Sequence, residues 1–64
     1  MNLDVIDLNV KTSNLSELDK TVRMLGASVV EGSWDGTTCK VRCFGNADAV
    51  GFAIRNNGRG EVIQ

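Results

Sequence analysis

Apolar and polar residues alternate from Leu3 to Val10: Ile6, Leu8 and Val10 point one way, Leu3, Val5, Asp7 and Asn9 the other. A period of two over this length predicts a half-buried β-strand. The period then changes. Leu15, Leu18, Val22 and Leu25 recur at helical spacing and form one apolar stripe. Asn14 stands where an N-cap belongs, and Glu17, three residues on, is placed to reach back as in a capping box. Gly26 can take the left-handed conformation that stops a helix. The spacing therefore predicts a helix from Leu15 to Leu25, with Asp19 and Arg23 forming an i,i+4 pair beside the stripe.

From Ser28 to Phe44, two β-prone runs flank Asp35-Gly36. Asp-Gly between such runs signals a two-residue hairpin turn of type I′. That turn would set Glu31 opposite Lys40, Val30 opposite Val41 and Ser28 opposite Cys43. Val30, Gly32, Cys39, Val41 and Cys43 would then share the inner face. Gly45-Asn46-Ala47-Asp48 reads as a loop by composition.

The segment from Ala49 to Gln64 admits two readings. As strands, Val50, Phe52 and Ile54 alternate with Ala49, Gly51, Ala53 and Arg55, and Asn56-Asn57-Gly58 forms a turn that sets Phe52 opposite Val62 and Ile54 opposite Gly60. As a helix, Asn46 caps it, Gly58 ends it, and Val50, Ala53 and Ile54 face inward. A mid-helix Gly51 costs about 1 kcal/mol, and Val, Phe and Ile favour strands. The strand reading is preferred. It makes an α+β domain of order β-α-β-β-β-β, with one helix on an antiparallel sheet. The alternative is the ferredoxin-like order β-α-β-β-α-β.

Leu25-Gly26 closing a helix, followed by Val29-Val30-Glu31, and the later run Val50-Gly51-Phe52, Asn56-Asn57-Gly58, Glu61-Val62-Ile63 resemble segments of the Ycf-thirty-five-like family, small proteins of cyanobacteria and algal plastids. The resemblance spans Leu15 to Ile63. It implies no catalytic residues and adds weight to a strand over Val50–Ile54.

Sixty-four residues make one domain with a small core. Cys39 and Cys43 are the only cysteines. Four residues apart on one strand they sit about 13 Å from each other, beyond disulfide reach. They read as small core residues in a reducing compartment. The chain has no His and no Tyr. No metal site or cofactor is expected, and no catalytic residue emerges, so the chain is not read as an enzyme. Gly58-Arg59-Gly60 reads as a turn, since no helix follows to make a phosphate loop. No apolar run suits a membrane span, and the acidic start does not resemble a signal peptide. A cytoplasmic protein with no membrane partner is expected.

Charge is split unevenly: residues 1–35 carry six acids and three bases, residues 36–64 four bases and two acids, for a net charge of −1. The asymmetry is too mild to signal nucleic-acid binding by itself. On the preferred reading the sheet leaves one face open, showing Val29, Glu31, Lys40, Arg42 and Phe44 beside Leu3, Val5 and Ala53. Apolar residues on an open face suit a protein interface, with a second copy of the chain as its simplest occupant. Lys40 and Arg42 interleaved with Phe44 would also suit nucleic acid. Trp34, at the expected hairpin tip, is either a lid on the core or an anchor for a partner. The expected function is therefore a small protein-interaction module, a regulator or inhibitor of the kind carried by phages and mobile elements, with nucleic-acid binding as the alternative.

Overall fold

A computed structural model describes residues 4–63. The elements run β1 (Val5–Lys11), α1 (Leu15–Arg23), β2 (Ser28–Val29), β3 (Thr38–Phe44), α2 (Ala47–Asn56) and β4 (Glu61–Val62). The four strands form one sheet of order β2-β3-β1-β4, antiparallel at every seam. Both helices pack on one face of it. The α+β class is as expected, and the order is the ferredoxin-like one.

The first half follows its sequence cues. β1 pairs with β3 along its whole length, from Val5 opposite Phe44 to Lys11 opposite Thr38. Asn14 Oδ1 accepts from the Glu17 N–H at 3.1 Å and starts α1. The other half of a capping box does not form, because the Asn14 N–H donates to Thr12 Oγ1. Gly26 adopts φ +81 just past the helix. Leu18 and Val22 are wholly buried with Val10, Val41, Cys43, Val50 and Ile54.

Two expectations are corrected. Residues 47–56 are helical, so the preferred β-α-β-β-β-β order and its pairs Phe52–Val62 and Ile54–Gly60 do not occur. Val50 and Ile54 are four apart and both fully buried, with Gly51 buried beside them, while Phe52 is 64% exposed. The period-two signal arose because a surface phenylalanine falls between two core residues. Ala53, expected on the outer sheet face, is carried on α2 instead. Asn56-Asn57-Gly58 is the end of this helix, with Gly58 at φ +65 and the Arg59 N–H donating back to the Ile54 carbonyl at 3.1 Å. A Cβ at Gly51 would meet only Val62 and Leu8, at 3.8 and 3.9 Å, which is ordinary contact. Gly51→Ala is therefore expected to raise stability by about 0.5–1 kcal/mol through helix propensity. Chemical denaturation checks this, and a loss of stability would contradict the room for a Cβ at Gly51.

The second correction is the β2–β3 register. Ser28 pairs with Arg42 and Val29 with Val41, one residue off the expected alignment. Val29 consequently packs against the core and not on the open face, because a one-residue slip exchanges the two faces of a strand. The cause lies in the loop. Type I′ needs φ > 0 at both central residues, and only Gly36 has it, at +102. Asp35 instead turns its carboxylate inward, accepting from the N–H of Thr38 at 2.7 Å, the N–H of Thr37 at 2.9 Å and the Thr38 hydroxyl at 2.8 Å. The chain has already left the sheet after Val30, whose N–H donates to the Lys40 carbonyl. Glu31 therefore does not oppose Lys40.

Those hydrogen bonds hold the Asp35 carboxyl far below its usual range, the Thr38 N–H contributing most. A depressed acid stabilises the fold fully above about pH 4 and loses that contribution as pH falls toward its folded value. Asp35→Ala is expected to lower the melting temperature at pH 7 and to flatten its decline between pH 4 and 2. Thermal unfolding across that range measures both.

Candidate functional site

Three of the expected site residues share a surface. Lys40, Arg42 and Phe44 alternate along β3 on the face turned away from the helices, opposite Asn9, Asp7 and Val5. The centre of that face is closed on itself. Arg42 donates to Asp7 through Nε at 2.9 Å and Nη2 at 3.1 Å, a two-pronged ion pair. Arg42 holds the Asp7 carboxyl below its usual value, and Lys40 adds to the effect. The other three residues lie elsewhere. Val29 packs against the core. Glu31 borders a hollow with Leu15, Asp19 and Arg23 on the flank of α1. Trp34 sits in the β2–β3 loop, 36% exposed and outside the core cluster. Leu3 lies outside the described residues.

The opposite margin of the sheet has a different character. Along β1, the Asp4 carbonyl accepts from the Gly45 N–H and the Thr12 N–H donates to the Thr37 carbonyl, so even-numbered residues aim their backbone at the β3 side. The Asn9 carbonyl accepts from the Ile63 N–H at 2.8 Å, so odd-numbered residues aim the other way. β4 is only two residues long and pairs at Val10 and Lys11. Among the described residues no strand lies beside Val5 and Asp7 on that edge, and their N–H and C=O groups point outward. On the other side, where β3 runs on past the two-residue β2, the β2–β3 loop covers it: Lys40 N–H donates to Ser33 Oγ, and Asp35 N–H to the Thr38 carbonyl.

Exposed apolar side chains gather around this open edge. Ile6 is 44% exposed on the helix side of the sheet, and Val5, 57%, and Phe44, 43%, lie paired on the other side. Beneath the edge a groove runs between β1 and α2. One part is lined by Leu8, Gly51, Phe52, Arg55 and Val62. It continues through Ala47 and Asp48 into a hollow bordered by Asp4, Ile6 and Ala49. The expected site included Phe44 but missed Asp48, Phe52 and Arg55. Asn46, Asp48 in the first turn, Arg55 in the last and Gly58 beyond are the helix-end signals that could have found them.

Cys39 and Cys43 are buried, and desolvation raises both thiols, with Asp35 and Asp7 respectively adding to it. Among the described residues no three His, Cys, Asp or Glu side chains gather as a metal site, and no helix is long and apolar enough to cross a membrane. Comparison with protein-family models, with curated proteins and with solved structures returned no match to the chain.

Proposed function

We propose that this protein works by binding another protein, and that the seam between the open edge of β1 and helix α2 is where the partner docks. The observation that supports this is the coincidence of outward-pointing backbone groups at Val5 and Asp7 with exposed Val5, Ile6, Phe44 and Phe52. An uncovered sheet edge is a template for chain pairing, and natural proteins usually blunt it with charge, bulges or cover. Here it is bordered by apolar side chains, which is how an interface is built. A small regulator or inhibitor that acts by covering a partner's surface fits this chemistry.

Nucleic acid is the less favoured ligand. Arg42 is committed to Asp7, and Phe44 is one aromatic where stacking platforms present several. Photo-crosslinking separates the two. A benzophenone amino acid replaces Ala49 beside the seam, Lys40 on the outer face or Ser16 on α1, in cells that express the protein. Protein adducts from position 49, lost when Ile6→Asp is added, are the expected result. Adducts from position 40 alone, or adducts to RNA, would overturn the assignment.

A further inference from the structure

We infer that the partner at this seam is a second copy of the same chain, docked α2 against α2 across a two-fold axis beside Phe52. The inference rests on the protein-binding reading and names its occupant. Asp48, Phe52 and Arg55 follow one another at steps of four and three, so they form a single stripe along α2. All three are exposed, and all three border the same groove. The midpoint between Asp48 and Arg55 falls between Gly51 and Phe52. Two antiparallel copies of the helix related by a two-fold axis at that midpoint bring Asp48 of each against Arg55 of the other, twice, and the two Phe52 rings together near the axis.

A two-fold interface uses the same patch on both copies, so the patch must be complementary to itself. This stripe meets that condition in charge, with an acid at one end and a base at the other, and in having its aromatic near the centre, where binding energy concentrates. Helix-dipole preference alone accounts for an acid in the first turn and a base in the last. It does not account for both lying in line with an aromatic that is 64% exposed. The stripe is narrower than a standard interface, so association in the micromolar range is expected.

Sedimentation velocity of the full chain from about 5 μM to about 1 mM tests the inference. The wild type should pass from the 6.9 kDa chain mass to twice that mass as concentration rises. Asp48→Arg leaves two bases along the stripe and Arg55→Asp leaves two acids, so each alone should remain monomeric. Mixed in equal amounts, the two variants should recover the dimer, and that recovery also establishes that both are folded. Phe52→Ala should weaken the wild-type dimer at least tenfold. A wild type that stays monomeric throughout overturns self-association, as does failure of the mixed variants to pair. If the wild type stays monomeric while crosslinks from position 49 capture a different protein, the docking seam survives and only its occupant changes.

Discussion

Replacing Ile54 with Ala should destabilise the domain by about 2–5 kcal/mol, while Phe52→Ala, two residues away and larger, should change stability by less than about 0.5 kcal/mol at low micromolar concentration. Ile54 is fully buried among Val10, Leu18, Val22 and Val50, and its removal leaves a cavity in a core that numbers nine buried hydrophobic residues among those described. Phe52 faces outward. A domain of this size has only about 3–10 kcal/mol of total stability, so Ile54→Ala should populate the unfolded chain visibly at room temperature. Denaturant titration followed at Trp34 measures both variants. Comparable losses at the two positions would mean that both side chains face inward, as the alternating reading of Val50, Phe52 and Ile54 requires.

The second large effect is expected at Gly60, where φ is not in the left-handed region and the constraint is space. A Cβ there would stand 2.7 Å from the Lys11 carbonyl oxygen, 3.0 Å from Val10 Cγ1 and 3.3 Å from Thr12 Cβ. The α2–β4 loop crosses β1 at this point and is fastened there by the Thr12 hydroxyl, which donates to the Arg59 carbonyl at 2.6 Å. The crowding involves backbone and branched side chains, which cannot swing aside as a long side chain would. Gly60→Ala should therefore cost about 1–3 kcal/mol, as overpacking of tight sites does, and should also loosen the pairing of β4 with Val10 and Lys11. Amide exchange at Ile63, whose N–H donates to the Asn9 carbonyl, would report that loosening, and unchanged protection there would contradict the close crossing.

Much of the fold was legible where local signals and tertiary packing agree. Alternation over Leu3–Val10 and the stripe of Leu15, Leu18, Val22 and Leu25 each have one face to bury, and Val10, Leu18 and Val22 are buried there. Helix α1 ends at Arg23, so Leu25 lies beyond the helix and is exposed, as Ile6 is near the start of β1. Legibility failed at two places for different reasons. In α2 the two readings share the same buried residues, Val50 and Ile54, and differ over whether Phe52 is buried with them. Periodicity counts an apolar side chain as inward, and Phe52 is apolar and outward. At the β2–β3 connection, Asp35-Gly36 carried the right composition for a tight turn. Its carboxylate instead found four donors in Thr37 and Thr38, and the longer loop moved the register by one. Val29 left the proposed face for that reason alone. The seam itself could not be read from the chain in order, because it joins the first strand to a helix misread as a strand.

The most direct test of the docking seam is residue-resolved amide exchange on the chain alone and in whatever assembly it forms, whether with itself or with a captured protein. In the free chain the Val5 and Asp7 amides lack a strand beside them among the described residues and should exchange quickly, while those of Ile6 and Leu8, bonded toward β3, exchange slowly. With a captured protein, slowed exchange and shifted resonances should concentrate at Val5, Asp7 and the α2 stripe around Phe52; in a dimer of the chain, they should centre on that stripe. Changes confined to Lys40, Arg42 and Lys11 on the outer face, with the seam untouched, would contradict it.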